Sequence, residues 1–395
     1  MTKILMVRTG KGLYGVGGAN TRWYDIYNLL SRTNQIILLQ PIPDKSIKDT
    51  ISNTDETPYY FRSAKWNQYD SPFADFNVSY YYKFYQIIRK ERPDVVIFSF
   101  PYGIIINSLI HPNLPLIYEA HDLNSDLINE TGFKKLANRF SILKQPALGS
   151  IVKYVMHRYF FLHEKIACKR VMHILVQSDE DKSLFIKNYS VDEEKITVIP
   201  PSVEHKCTLP SRKSIYDKEE VIVGFHGSYL NYGNQEAFKL ILNYVAPEVS
   251  RIEKRIRFLL AGTGVSMFEK DNVKSIGFVK DISLFLQQLD IAIVPLISGS
   301  GVKEKIFDYM GYGLPIITTK KGAQGIKLEN NINAIITEAV NDQFIKAIIE
   351  LANNPEKRWE FSRNIFELAT HEYGRDTAQQ KMDGLISRLL QVRSG

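Results

Sequence analysis

Short apolar runs recur along the chain, separated by polar stretches that carry glycine or proline. Runs of this kind suit strands buried on both faces of a parallel sheet. In the first half they fall at Ile4 to Val7, Gln35 to Leu39, Val95 to Phe98, Leu116 to Tyr118, Ile174 to Gln177 and Ile196 to Ile199. Helix-length segments lie between them, from about Ala19 to Ser31 and from Tyr80 to Glu91, and residues 41 to 75 read as a polar loop region. Pro200-Pro201 and the polar residues up to about Glu220 mark a linker. A second series follows at Val221 to His226, Arg257 to Ala261, Lys274 to Phe278, Ile291 to Pro295, Leu314 to Thr318 and Ala334 to Ile336. Its helices are expected from about Gln235 to Tyr244, from Ile282 to Leu289 and from near Val302, and the chain is helical from Asn341 onward. Two series of strand–helix alternation predict an α/β protein of two doubly wound, Rossmann-like domains.

The stretch from Asp290 to Gly325 carries the most chemistry. A buried strand leads into a loop bracketed by Gly299 and Gly301, and a helix is expected to start near Val302 with Lys303, Lys305 and Asp308 in its first turns. Gly311 and Gly313 end that helix, and Pro315 blocks its extension. A loop that hands the chain to a helix N-terminus at the carboxyl edge of a parallel sheet favours a phosphate. Two lysines add positive field, and Asp308 stands where a carboxylate would hold a pair of ribose hydroxyls.

The same stretch resembles the donor-binding segment of glycosyltransferase family 4, enzymes of GT-B fold that use nucleotide sugars. That family shows a glutamate, seven residues, a second glutamate, and a run ending in Gly-x-Pro. Asp308, Gly313 and Pro315 match the second acid and the ending, while Ser300 stands at the first acid. Gly299-Ser300-Gly301 with Lys305 fits a subgroup with a Gly-Ser-Gly-x-x-x-Lys loop. Other matches run along nearly the whole chain. Gly17-Gly18 before the first helix matches the family's first glycine-rich loop. His121, after a strand, matches a histidine that contacts the donor sugar and is the catalytic candidate. Gly277-Phe278-Val279 matches the turn whose backbone meets the base. Typical members place an Arg and a Lys after the first strand of the second domain to clamp the diphosphate. Here that loop is Gly227-Ser228-Tyr229-Leu230-Asn231-Tyr232-Gly233-Asn234, with neither base. Lys303 and Lys305 are the remaining candidates for neutralising the diphosphate. The resemblance implies a GT-B fold with its two domains facing across a cleft. Residues 1–205 would form the acceptor side, residues 206–375 the nucleotide-sugar side, and residues 376–395 a helix crossing back. The donor site would comprise Gly17, Gly18, Gly227, Ser228, Phe278, Val279, Ser300, Gly301, Val302, Lys303, Lys305 and Asp308. It also implies a retaining glycosyltransferase without a cofactor, acting on a glycan or lipid-linked acceptor in prokaryotic cell-surface polysaccharide or glycolipid synthesis. The alternatives are a GT-B sugar-nucleotide epimerase and a non-catalytic, membrane-associated nucleotide-binding protein.

Charge adds one feature. From Gly132 to Arg170 the chain has nine basic residues and a single acid, Glu164, so the rest of a chain with net charge +7 is close to neutral. Phe133, Phe140, Ile151, Tyr154, Tyr159 and Phe160 are among the apolar residues between those bases. Bases mixed with aromatics on helical segments suit an anionic membrane surface, and residues 132–170 are expected to meet one. No nucleic-acid module is recognisable. The two cysteines, Cys168 and Cys207, are too few for a disulfide framework and lack metal-ligand spacing, which fits a reducing cytoplasm. The N-terminus runs straight into a strand rather than a signal peptide. The expected location is cytoplasmic, peripheral on the inner face of the cell membrane. Asp179-Glu180-Asp181 has an Asp-x-Asp spacing known from metal sites, but after Ser178 it reads as a helix cap with an acidic first turn. Metal-independent chemistry is therefore expected.

Overall fold

Successive residues of the first strand enter different cores. The computed structural model describes residues 1–8, 18–42, 59–61, 77–121, 123, 145–203, 219–299 and 301–394. In β1 (Lys3–Val7), Leu5 and Val7 join one apolar cluster, and Ile4 and Met6 join another. That alternation is the period of a strand covered on both faces. The first unit comprises Met1–Pro200 together with Ala378–Gly395. After β1 its elements are α1 (Gly18–Ser31), β2 (Gln35–Pro41), β3 (Tyr59–Phe61), α2 (Val78–Glu91), β4 (Val95–Phe98), α3 (Ile104–Ile110), β5 (Leu116–Glu119), α4 (Pro146–Arg170), β6 (His173–Val176), α5 (Asp179–Tyr189) and β7 (Ile196–Val198). The strands lie side by side, all parallel, in the order β3-β2-β1-β4-β5-β6-β7. One face packs against Tyr80, Phe84 and Ile87 of α2 and Phe185 and Tyr189 of α5. The other packs against Trp23, Ile26, Leu29 and Leu30 of α1. Each such side chain, once buried, contributes about 1.5–3 kcal/mol before entropy is counted.

The second unit is Pro201–Thr377. It runs β8 (Val221–His226), α6 (Tyr232–Leu240), a π-helical turn at Ile241–Val245, α7 (Ala246–Ile252), β9 (Ile256–Ala261), β10 (Phe268–Lys270), β11 (Val273–Ser275), α8 (Ser283–Leu286), β12 (Ile291–Val294), α9 (Lys305–Gly311), β13 (Ile316–Thr319), β14 (Ala334–Thr337), α10 (Asp342–Asn353) and α11 (Pro355–His371). The sheet order is β10-β11-β9-β8-β12-β13-β14, parallel except for the β10–β11 hairpin. In both sheets the first strand is interior and the order of winding reverses beside it, between β1 and β4 and between β8 and β12. Loops diverge at such switch points and leave room for ligands at the carboxyl ends of the strands. The last helix, α12 (Arg375–Ser394), starts in the second unit and supplies Ala378, Met382, Leu385, Ile386 and Leu389 to the α1 side of the first. Their spacing of three and four residues is one face of a helix.

Several boundaries differ from the sequence pattern. β3 falls within the stretch read as loop. The helix expected from Gln235 starts at Tyr232, where Asn231 Oδ1 accepts from Gly233 N at 3.0 Å, and runs on through the π-helical turn to Ile252. The strand expected at Lys274 to Phe278 is Val273–Ser275, because Gly277 takes a left-handed φ of 69°. The helix expected from near Val302 begins at Lys305. Gly301 has a φ of 66°, outside the helical region, so Val302 and Lys303 precede the helix. Of the basic stretch, residues 132–144 lie outside the described residues, and residues 146–170 form α4.

Candidate donor site

The carboxyl ends of β8, β9 and β12 bring one group of loops together. Gly227 N donates to Ala261 O at 3.0 Å and Tyr229 N to Thr263 O at 2.8 Å, tying the loop after β8 to the loop after β9. The approach is close. A Cβ on Gly262, whose φ is 158°, would stand 1.9 Å from Gly227 O. Gly262 N in turn donates to Gly277 O at 2.8 Å, which anchors the turn carrying Phe278 and Val279. Phe278 is exposed there, while Val279 packs on the core. Ser228 Oγ accepts from Leu230 N at 3.3 Å, and Ser228 O accepts from Asn231 N at 3.1 Å.

The two lysines behave differently. Lys303 is almost buried, and its ammonium turns back onto its own loop, donating to Gly299 O at 3.3 Å and Gly301 O at 2.5 Å. Lys305 reaches across to the loop after β8. Its Nζ donates to Asn234 Oδ1 at 2.6 Å and lies 4.1 Å from the centre of the Phe225 ring. Burial, and then the neighbouring charge of Lys303, push the Lys305 pKa down to about 7 from 10.5, while Asp308 works the other way. The short helix α9 spends its first amide groups locally: Ile306 N bonds Lys303 O and Phe307 N bonds Glu304 O, both at 2.9 Å. The positive charge on offer is thus that of a side chain more than of a helix end.

Asp308 is exposed, one turn into α9, with its Oδ2 3.4 Å from His226 Nε2. His226 ends β8. Burial first, and Lys305 second, lower its pKa to about 3, so its imidazole is neutral near pH 7. Its backbone N–H donates to the Tyr309 hydroxyl at 3.1 Å, and its ring meets those of Phe285 and Tyr309 edge to face. Neither His226 nor Asn234 stands out in the sequence. The signal that could have found them is position: each flanks the glycine loop after a central strand. Gly18 opens α1. Gly17 and Ser300 lie outside the described residues.

In the first unit, His121 follows β5 and is nearly buried. Its Nε2 lies 3.0 Å from Glu119 Oε2 and 3.4 Å from Ser99 Oγ, and its carbonyl accepts from Gln177 Nε2 at 2.9 Å. Glu119 Oε1 accepts from Arg22 Nε at 3.1 Å, and Arg22 also donates to Ile199 O at 2.6 Å. Burial opposes ionisation of Glu119, but His121 and Arg22 outweigh it and hold the carboxyl below its usual range. Arg22 and Glu119 thus fix the ring of His121. The other ring nitrogen, Nδ1, is buried without a hydrogen-bond partner among the described residues. Ser99, His121 and Gln177 stand at the carboxyl ends of the neighbouring strands β4, β5 and β6, Arg22 reaches them from α1, and the side chain of Arg8 lies near the rings of Trp23 and Phe100. Asp181 is engaged as a cap: Ser178 Oγ accepts from its N–H at 3.0 Å and donates to its Oδ2 at 2.7 Å.

Comparison with known proteins matches this architecture. The family model Glycosyltransferase Family 4 matches residues 16–206, and the model Glycosyl transferases group 1 matches residues 220–354. Together they account for most of the chain, which belongs to the group 1 and family 4 glycosyltransferases, enzymes of glycosyl transfer. Its α/β fold is GT-B, with two Rossmann-like domains. HepE of Anabaena, solved with UDP, has a TM-score of 0.69 at 16% identity, over 98% of this chain and 100% of that one. Sucrose-phosphate synthase of Thermosynechococcus elongatus has a TM-score of 0.72 at 13% identity, over 99% and 100%. An uncharacterised 44.6 kDa protein of the cps region of Klebsiella pneumoniae is 25% identical over 250 residues, which are 59% of this chain and 62% of that protein.

Proposed function

We propose that the chain transfers a sugar from a nucleotide-diphosphate donor to a glycan or lipid-linked acceptor in cell-surface polysaccharide synthesis. The observation that carries this reading is the Lys305 ammonium held over the glycine loop at the switch point of the second unit, with Asp308 one turn away. In this reading the loops at Gly227-Ser228 and Gly301-Val302 approach the diphosphate, Lys305 neutralises it, and Lys303 holds the loop that meets it. Asp308 takes the ribose hydroxyls, and the Phe278-Val279 turn meets the base. Ser300, at the position of the family's first acid, and Gly17-Gly18, in its first glycine-rich loop, are assigned to donor binding by the family resemblance alone. The part assigned to His121 is a contact to the donor sugar. The bond from the anomeric carbon to the phosphate oxygen breaks as charge builds on the diphosphate, which Lys305 stabilises. The acceptor hydroxyl adds on the same face and gives its proton to the leaving phosphate, so configuration is retained. Charge on lysine rather than a metal ion serves the leaving group. Homologous structures solved with UDP and UDP-glucose, and the relative from a cps region, support a UDP-sugar donor and a polysaccharide pathway.

The reading also places the enzyme peripherally on the inner face of the cell membrane. On α4, Ile151, Tyr154, Val155, Tyr159, Leu162 and Ile166 are exposed at spacings of three and four residues. Lys153, Arg158, Lys165, Lys169 and Arg170 share the helix, and its one acid, Glu164, is turned inward to accept from the hydroxyls of Tyr118 and Tyr189. Among the described residues no helix is long and apolar enough to cross a membrane.

A thermal-shift panel of UDP-, GDP-, ADP- and dTDP-sugars tests the donor assignment. One nucleotide class should raise the melting temperature of the native chain and do so far less in Lys305→Gln. No shift with any of them, or equal shifts in both proteins, would remove Lys305 and its loop from donor binding.

A further inference from the structure

The loop after β8 has no basic side chain of its own, yet an ammonium rests on it. Lys305 crosses from α9 and donates to Asn234 Oδ1 at 2.6 Å. Asn234 Nδ2 donates to Ser228 O at 2.9 Å. That second bond decides how the amide faces, with nitrogen toward the loop backbone and oxygen toward the lysine. Gly227 leaves the space for both groups: a Cβ there would stand 2.8 Å from Asn234 Nδ2 and 2.8 Å from Lys305 Nζ. The ring of Phe225 lies against the ammonium, and Lys303 is committed to the carbonyls of its own loop. Charge is therefore delivered to the 227–234 loop by one lysine, and one neutral amide decides where it stops.

We infer that Asn234 is a positioning residue for the donor diphosphate: it holds the Lys305 ammonium against the glycine loop, in place of the bases that loop lacks. The inference rests on the reading of the second unit as the donor side. A neutral acceptor suits the task. It orients the ammonium without cancelling its charge, whereas a carboxylate at the same place would pair with Lys305 and compete with phosphate. Among the described residues, the charged or titratable groups acting on Lys305 are Lys303, which disfavours its proton, and Asp308, which favours it, with neutral His226 beside them. The same geometry makes Gly227 and Lys305 interdependent, since a side chain at 227 would displace the ammonium and the amide together.

Calorimetric titration of the full chain tests this with UDP, GDP and ADP as probes, and with the matching nucleosides as phosphate-free controls. Asn234→Ala is expected to weaken the best-binding diphosphate roughly tenfold, the scale of one charge-assisted hydrogen bond, and to leave the nucleoside unchanged. Asn234→Asp keeps the shape of the side chain and so guards against misfolding of the alanine variant. It should also weaken the diphosphate, and it should move the fall in affinity to higher pH, because a carboxylate holds the proton on Lys305. Diphosphate affinity unchanged in both variants would overturn the inference. So would an equal loss for nucleoside and diphosphate, which marks general damage to the loop. If the unmodified chain binds none of the three diphosphates, the donor-side reading itself fails and the inference falls with it.

Discussion

At the scale of single residues, the proposed donor site turns on the charge of Lys305. A Lys305 pKa of about 7 means that the free protein loses this charge as pH rises past neutrality. A diphosphate binds the ammonium form, so nucleotide affinity should fall between about pH 7 and pH 9. Folding has the opposite sign. The folded pKa lies below the ordinary 10.5, so the unfolded chain holds more protons across that window and Lys305 favours folding more as pH rises. A loss of binding at high pH therefore does not come from unfolding at this site. Titration from pH 6.5 to 9.5 checks it: Lys305→Gln should bind weakly with a flatter profile, and an unchanged profile would clear Lys305 of the role. Asp308 gives a second prediction. Asp308→Asn should weaken nucleoside diphosphate binding by about 1–3 kcal/mol, the scale of a lost hydrogen bond to a charged group. Calorimetry with the deoxyribose analogue should show a smaller difference, since the ribose hydroxyls are its proposed partners. Lys305 and Asp308 were legible because both fall inside a spaced motif. His226 and Asn234 were not. One reads as the last residue of a strand and the other as one polar residue among several, and the fold alone brings them to Asp308 and Lys305.

At the scale of elements, the strands were legible where burial on both faces leaves uninterrupted apolar runs, as in β1, β4, β8 and β12. Ends were less so, because they are set by backbone conformation. Gly301 and Gly277 each take a positive φ, and that shortens α9 and β11 relative to the hydrophobic pattern. The short strands β3 and β10 carry too few residues to show a period. Helix α4 is the element whose pattern was read correctly as basic and apolar but whose inward turn could not be: Glu164, its one acid, lies under two tyrosine hydroxyls. The outward surface is then basic and apolar together. Vesicles of anionic lipid should sediment the protein at low salt, with each well-placed base adding up to about 1 kcal/mol, and binding should fade as salt rises. Reversing Lys153, Arg158 and Lys165 to Glu should release it, as should Tyr154→Ser with Val155→Ser through the apolar part. A protein that ignores such vesicles at low salt would leave α4 a solvated face and make a soluble acceptor the better assignment.

At the scale of the whole molecule, two sheets of the same design carry different chemistry at corresponding edges. In the first, Arg22 and Glu119 hold His121, whose Nδ1 has no hydrogen-bond partner among the described residues; in the second, lysines and glycines meet at the switch point. The chain returns to the first unit through α12, whose Met382, Leu385 and Ile386 fill the core beside α1. That return was legible only through the family resemblance, because nothing in a helical apolar face names its partner. Together these parts are proposed to move a sugar from a nucleotide. The most direct measurement is release of nucleoside diphosphate by the purified chain, followed by mass spectrometry of the product with a glycan or lipid-linked acceptor and with EDTA present. The expected result is nucleoside diphosphate formed in step with a product heavier by one sugar, undiminished by chelator and lost in Lys305→Gln. An intact donor with every nucleotide class would contradict the account. So would turnover that stops in EDTA and returns with Mg²⁺ or Mn²⁺, which would put a metal ion where the account puts Lys305.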